Sequence, residues 1–340
     1  MSNKLWNDIW YESHPLSLAL RPISHVLKAL VWGRRKAYAK GWSSQYQAKV
    51  PVIVVGNISV GGTGKTPFII WLGKLLQAQH KAGAAAIRIG VVSRGYKSAG
   101  EHSPSLLNAH SLPEQVGDEP YMIYQHLQCP MAVGADRVHA IELLLAQHEL
   151  DLILSDDGMQ HYAMVRQLEI AVIDGTRGLG NGHLLPSGPL REPPERLRSV
   201  DFIVANSQSY RHFPVMHLRA DRVLSVSDNE PVATLADFHG QRVHAIAGIG
   251  NPQRFFNTLK AHGINCIEHP KPDHHHFELA DVQFTDGLAV LMTEKDAVKC
   301  RKIGADKLLY VPVEAQLPDE FSTALLNEIQ DLLASEKIDG

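Results

Sequence analysis

Long apolar runs are missing from this chain. Nowhere do about 18 apolar residues follow one another, so the sequence predicts no helix that crosses a bilayer. Cysteine is scarce as well: Cys129, Cys266 and Cys300 are widely spaced and odd in number, and they form neither a metal spacing nor a disulfide framework, which fits a reducing compartment. Neither sign of charge prevails, since 33 Lys and Arg face 36 Asp and Glu for a formal net charge of −3. That balance gives no general attraction to nucleic acid, so none is expected as a partner and any basic surface must be local. No secretory signal is visible near Met1, and there is no internal repeat or low-complexity tract. What is present is an ordinary globular composition, 44% hydrophobic and 20% charged over 340 residues. At roughly 150 residues per domain this is enough for two cores.

The stretch from Leu16 to Trp32 has the period of a helix, with Leu16, Leu20, Ile23, Val26, Leu27, Leu30 and Val31 on one face. Arg21, Ser24, His25 and Lys28 take the other face, Pro22 is expected to kink it, and Arg34, Arg35 and Lys36 follow. Trp6, Trp10, Tyr11 and Trp32 flank it. A basic amphipathic helix with aromatic neighbours suits a membrane interface; the same pattern suits a helix packed on the domain's own core. The stretch alone leaves both open.

From Val50 onward, apolar runs alternate with helical patterns, the mark of a parallel sheet wound with helices. Strands are expected at Val52 to Val55, Ile89 to Val92, Leu152 to Leu154, Ile170 to Ile173 and Phe202 to Ala205. The Gly- and Pro-dense segment from Gly175 to Pro194 is too long for a mere connection and reads as functional. The expected fold class is α/β: a P-loop NTPase-like parallel sheet flanked by helices, a second smaller α/β domain, and an N-terminal amphipathic helix. The expected divisions are residues 1–40 for the helical segment, 41–207 for the nucleotide-binding domain and 208–340 for a second domain completing the active site. Phe321 to Leu333 reads as a closing helix, and Val215 to Val226 as a pair of strands joining the halves.

Ser59-Val60-Gly61-Gly62-Thr63-Gly64-Lys65-Thr66 follows a strand and opens a helix, the context a phosphate loop requires. Glycines let backbone N–H groups converge on phosphate oxygens, and the helix N-terminus adds positive potential. Lys65 would reach the β- and γ-phosphates of a triphosphate and the Thr66 hydroxyl would ligate Mg²⁺. The usual pattern opens with Gly where this chain has Ser59. Asp156 and Asp157 end a buried strand in a Walker-B-like arrangement, although adjacent acids also commonly cap turns. Asp118 and Glu119 stand in a turn before a helix, as N-caps or as a base and a metal ligand. Arg94 and Lys97 follow a strand and would face the ligand edge of the sheet. Asp273-His274-His275-His276 allows a metal tract, a surface accident or an acid–histidine pair.

Together these segments resemble the tetraacyldisaccharide 4'-kinases, the lipid A 4'-kinases of Gram-negative bacteria. The resemblance rests on the string from Gly56 to Pro67, Ser93-Arg94-Gly95-Tyr96, Val116 to Pro120, Asp156 to His161, Leu185 to Pro193, Asp273-His274-His275 and Thr293 to Ala297. The family's own phosphate loop has a serine where Ser59 stands.

The resemblance implies transfer of the ATP γ-phosphate to the 4'-hydroxyl of a tetraacyl glucosamine disaccharide 1-phosphate. It places the work at the cytoplasmic face of the inner membrane, with an acylated disaccharide lipid and the membrane surface as partners and ATP and Mg²⁺ as cofactors. It favours the interfacial reading of the N-terminal helix. It further implies that Thr66, Glu119 and Asp156 or Asp157 hold Mg²⁺, and that Asp118 takes the hydroxyl proton, paired with His274 in preference to His275. Arg137, Arg191, Arg94 and Tyr96 would orient phosphates or sugar, and Glu192 and His161 would complete the site. A membrane-associated nucleotide switch and a P-loop kinase of a soluble metabolite are the alternatives. No guanine-reading Asn-Lys-x-Asp is present, which favours ATP.

Overall fold

The structure is a computed structural model of the chain and describes residues 2–12, 14–79, 86–95, 103–304 and 307–336. Tyr96 and Lys97 lie outside the described residues.

Two helices come first, α1 (Ser2–Tyr11) and α2 (Pro15–Ala39). His14 Nδ1 caps α2 by accepting from the Leu16 amide at 3.2 Å, and Pro15 occupies a first-turn position where no N–H is needed. The helix runs unbroken through Pro22. The first sheet then begins with β1 (Val52–Gly56), followed by α3 (Lys65–Ala78), β2 (Ile89–Ser93), β3 (Ser105–Leu106), α4 (Pro113–Val116) and α5 (Asp118–Leu127). It continues with β4 (Met131–Val133), α6 (Arg137–Gln147), β5 (Leu152–Asp156), β6 (Leu168–Asp174), β7 (Phe202–Asn206) and β8 (Val215–Arg219).

A second sheet takes β9 (Arg222–Ser225), β10 (Pro231–Thr234), β11 (Arg242–Ala247), β12 (Asn265–Pro270), β13 (Val290–Thr293) and β14 (Leu308–Val311). Its helices are α7 (Pro252–Ala261), α8 (Leu279–Val282) and α9 (Glu294–Cys300). The chain then returns to the first sheet through β15 (Glu314–Gln316) and α10 (Asp319–Glu336).

The strand order of the first sheet is β15-β8-β7-β6-β1-β5-β2-β4-β3. The inner strands are parallel, and β15 and β3 pair antiparallel at the edges. Every residue of β1 and β5 is buried, because helices cover both faces and a strand so placed must be apolar on both sides. Ile53 and Val55 face one core with Phe68, Ile69 and Leu72 of α3. Val52 and Val54 face the other with Ala140, Ile141 and Leu144 of α6. In the second sheet, ordered β10-β9-β14-β13-β11-β12, β11 pairs parallel with both β12 and β13.

The division expected at residue 207 differs from the structure. β8, β15 and α10 belong to the first unit, so the second is an insertion running from β9 to β14. The cause is the apolar stripe of α10: Phe321, Leu325 and Ile329 bury against the α3 side of the first core, with Phe321 edge-on to Phe202 at 5.7 Å. Truncating such a buried aromatic costs about 3–5 kcal/mol, enough to fix α10 to that sheet.

Candidate active site

The phosphate loop leaves the C-terminal end of β1, the edge of a parallel sheet where ligands bind in open α/β folds. Gly61 and Gly64 are left-handed, at φ 102° and 97°. Gly64 is also packed tight, since a Cβ there would stand 2.4 Å from Asn206 Nδ2. Asn206 donates to the Thr63 carbonyl at 2.9 Å, and Asn57 Nδ2 donates to Thr63 Oγ1 at 3.2 Å. Val60 N donates to Pro189 O at 2.8 Å and Arg191 N to Ile58 O at 2.7 Å, so the segment 189–191 lines the loop's first half. Ser59 bridges to Leu190 in this ladder. An extended, paired residue has no need of glycine, which explains the serine.

At the tip of β5 two adjacent acids meet opposite surroundings. Asp157, at φ 49°, has Lys65 Nζ 3.5 Å from one oxygen and Arg191 Nη1 2.9 Å from the other. Burial pushes its carboxyl up, but Lys65 and Arg191 more than offset this and hold it down at about 2. Asp156 is 3% exposed. Its Oδ2 accepts from Ser93 Oγ at 2.8 Å, while Oδ1 has no partner. Burial, with the charges of Glu119 and Asp157, pushes it up to about 6 despite Lys65 and the Ser93 hydrogen bond.

The second unit brings in the remaining groups. His274 Nδ1 lies 3.2 Å from Asp118 Oδ2 across the junction, and His274 holds φ 59°. His275 instead pairs with Asp281, at 2.9 Å. Lys295 bridges Glu119 at 3.0 Å and Asp273 at 3.3 Å. Burial alone would lower this ammonium, but Glu119, Asp273 and Asp118 outweigh it and raise its pKa above the ordinary lysine value. Arg254 of α7 reaches Asn206 Oδ1 at 3.1 Å and also bonds Ser207 Oγ. His126 and Glu294 add a further cross-junction contact at 2.6 Å.

Two expected residues, Arg137 and Glu192, are buried behind the site. Arg137 is 1% exposed and donates to the backbone carbonyls of Gly134 and, at 3.1 Å, Asp156; it buttresses the acid-bearing tip from beneath. Glu192, also 1% exposed, takes hydrogen bonds from Gln160 at 2.9 Å and from Tyr162, with Arg196 Nε 3.4 Å away. Those partners occupy both its oxygens inside the wall of the site. Burial and the nearby Arg137, Arg34, Arg94 and Arg166 drive His161 down to about 4, so its ring is neutral at pH 7. Arg94 stands just past β2, at the ligand edge.

Sequence reasoning assigned no role to Lys295, Asn206 or Arg254. Asn206 had a usable signal, a polar side chain closing an apolar strand run, the same signal that marked Asp156. Lys295 stood in a quoted string, but its contact with Glu119 forms only across the junction.

Among the described residues, no three His, Cys, Asp or Glu side chains converge as a metal cage. Mg²⁺ does not need one, because it keeps waters and phosphate oxygens and takes only one or two carboxylates. The unpartnered, buried Asp156 Oδ1 near Lys65 and Glu119 fits such an ion. Both oxygens of Asp157 are already engaged by cations, so it fits less well.

An anion cradle facing carboxylates and an acid–histidine pair suits passage of a phosphoryl group to a hydroxyl, and the fold and site are those of a phosphate-loop phosphotransferase. Comparison narrows this. Residues 16–330 match the family model described as Tetraacyldisaccharide-1-P 4'-kinase, and the chain belongs to that family. It is 44% identical to the tetraacyldisaccharide 4'-kinase of Pseudomonas putida strain F1 over 95% of this chain and 96% of that one. It is 43% identical to that of Legionella pneumophila strain Corby over 95% and 97%. A crystal structure of LpxK from Aquifex aeolicus in complex with ATP superposes with a TM-score of 0.78 at 29% identity, covering 94% of this chain and 99% of that one.

Proposed function

We propose that the chain uses ATP and Mg²⁺ to phosphorylate the 4'-hydroxyl of a tetraacyl glucosamine disaccharide 1-phosphate at the cytoplasmic face of the inner membrane. The observation that carries the chemistry is the 3.2 Å pair between Asp118 of the first unit and His274 of the second.

In this reading, loop N–H groups from Gly61 to Thr66 and the Lys65 ammonium hold the triphosphate, the Val60 N–H being taken by the Pro189 carbonyl. Thr66, Asp156 and Glu119 hold Mg²⁺, which when bound neutralises phosphate charge. Asp118 accepts the proton of the sugar hydroxyl as its oxygen bonds to the γ-phosphorus, and the bond to the bridging oxygen of ADP breaks. His274 fixes the orientation of Asp118, and Arg191 and Arg94 orient the phosphates. His161, neutral, can accept or donate a hydrogen bond to substrate. Arg137 and Glu192 act from behind by holding the acid tip and the wall of the site.

The membrane surface is supported by the N-terminal helices. Among the described residues, the large apolar side chains left most exposed are almost all between Leu5 and Trp42, including Leu16, Leu18, Ile23, Val26, Leu30 and Trp32. No described helix is long and apolar enough to cross a membrane. An apolar stripe set outward on an anchored helix fits shallow insertion among lipid headgroups, where the acceptor's sugar would stand.

The test is label transfer from γ-labelled ATP to the lipid disaccharide 1-phosphate against a soluble sugar. Product should be lipid-soluble, and Asp118→Ala should lower turnover by about 10² or more. Label only in water-soluble product overturns the substrate; turnover within a few-fold of the parent overturns the base.

A further inference from the structure

His274 is an unusual residue to find at φ 59°, because a side chain with a Cβ is disfavoured in left-handed backbone and persists there only when its surroundings hold it. The turn that carries it leaves the end of β12, where Lys271 N still donates to Ala247 O at 2.9 Å, and closes with His275 N donating to Pro272 O at 3.1 Å. Both ends of the turn then reach the same carboxylate. Lys271 Nζ lies 2.5 Å from Asp281 Oδ1, and His275 Nε2 lies 2.9 Å from Asp281 Oδ2. Asp281 is itself fixed: its Oδ2 accepts from the Glu278 amide at 3.1 Å, and its neighbour Val282 is buried with Phe277 and Met292 in the core of the second unit. The His275 ring stands edge-on to buried Phe277 at 4.8 Å. Burial pushes the Asp281 carboxyl up, yet Lys271, His275 and the Glu278 amide more than offset this and hold it well below the usual carboxylate range. It therefore stays an anion wherever the protein is folded near neutrality.

We propose that Asp281 is a positioning residue: by tying Lys271 and His275 on either side of the turn, it holds His274 in the backbone conformation from which its ring reaches Asp118. This rests on the assignment of Asp118 and His274 to phosphoryl transfer made above. Asp281 touches neither member of that pair, so its effect passes only through the turn.

The test is a double-mutant cycle on the full chain with lipid acceptor. Asp281→Asn keeps the shape but loses the charge, and should lower kcat about tenfold while leaving KM for ATP unchanged, because the phosphate loop belongs to the other unit. Lys271→Met attacks the same turn from its other end and should give the same selective loss, which covers the case in which Asp281→Asn folds poorly. Asp281→Glu restores the charge and should recover part of the lost kcat. Lys260→Ala breaks an ion pair between α7 and Glu268 of β12, the strand the turn leaves, and should leave kcat unchanged. In a His274→Ala background, Asp281→Asn should cause no further loss. An equal loss in both backgrounds, or a kcat within twofold of the parent for both Asp281→Asn and Lys271→Met, overturns the proposal. Normal turnover in His274→Ala alone would instead remove the acid–histidine reading, and this inference with it.

Discussion

Replacing Asp156 by asparagine should make the nucleotide-free protein more stable while destroying its activity. The carboxylate is buried, one oxygen accepts from Ser93, and the other faces no donor. Burial, Glu119 and Asp157 raise it from 3.8 to about 6. At ~1.4 kcal/mol per pH unit, that rise amounts to roughly 3 kcal/mol against the charged form. An acid that binds its proton more tightly when folded loses stability as pH rises from its unfolded pKa to its folded one, and the full deficit remains above that window. Asp156→Asn removes the charge, and its amide oxygen still accepts from Ser93. At about pH 7.5, without nucleotide or divalent cation, the variant should gain up to roughly 3 kcal/mol. With a melting entropy of ~2 cal/mol/K per residue, a 340-residue chain should melt about 4 °C higher. The difference should largely close near pH 4. ATP with Mg²⁺ should reverse the order, because a ligand that binds the parent more tightly stabilises it more. Turnover should fall by about 10² or more, the scale of losing an electrostatic contact to the transferring group. Melting followed by fluorescence across pH, alongside label transfer, measures both. A variant that melts no higher than the parent at pH 7.5, or a gap independent of pH, refutes the reasoning.

Other perturbations separate the parts of the site. Gly64→Ala places a Cβ on the Asn206 amide in left-handed backbone, and should weaken ATP binding about tenfold or more by equilibrium dialysis, at ~1–3 kcal/mol of strain; unchanged affinity would show that the loop moves freely. Lys295→Met keeps the buried stem but removes the ammonium between Glu119 and Asp273. Because those carboxylates are 43% and 37% exposed, each contact is worth only about 1 kcal/mol, and kcat should drop roughly 5- to 30-fold. A loss below twofold would exclude a role for this bridge. Ile23→Ser, Val26→Ser and Leu30→Ser together should reduce co-sedimentation with lipid vesicles by about 10² or more, at ~1.5 kcal/mol for each apolar side chain withdrawn from lipid. Undiminished co-sedimentation would argue against the outward stripe as the contact.

Much of the first sheet was legible because its central strands are buried on both faces, which leaves uninterrupted apolar runs such as Val52 to Val55 and Leu152 to Leu154. Which sheet an element joins was not. β15 and α10 come after the whole second unit, and only the partners of Glu314 to Gln316 and of Phe321 show that they return to the first. The N-terminal helix shows a different limit. Periodicity revealed an apolar stripe but not which side is covered, and the structure turns Ser17 and Ser24 inward. Ser24 donates to Leu184 O at 2.8 Å and Ser17 to Ser187 O at 3.0 Å, while Ile23, Val26 and Leu30 are left outside. Serines can anchor that face because the segment from Leu184 to Ser187 offers carbonyls to receive them.

The acids at the end of β5 mark where residue type stops being informative. Asp156 and Asp157 are chemically the same and adjacent, and no spacing argument could assign one to a metal and the other to a cation clamp. In the proposed reading, their environments do. Asp156 completes the strand, keeps one buried oxygen without a hydrogen-bond partner, and is driven toward its neutral form by burial and the charge of Glu119. Asp157 has already turned out of the strand at φ 49°, meets Lys65 and Arg191, and stays charged. A cation arriving at Asp156 relieves an electrostatic deficit that the fold sustains in its absence. At Asp157 it would have to displace ion pairs already made. The backbone turn between the two residues therefore separates their roles, and that turn is held from beneath by Arg137, through its hydrogen bond to the Asp156 carbonyl.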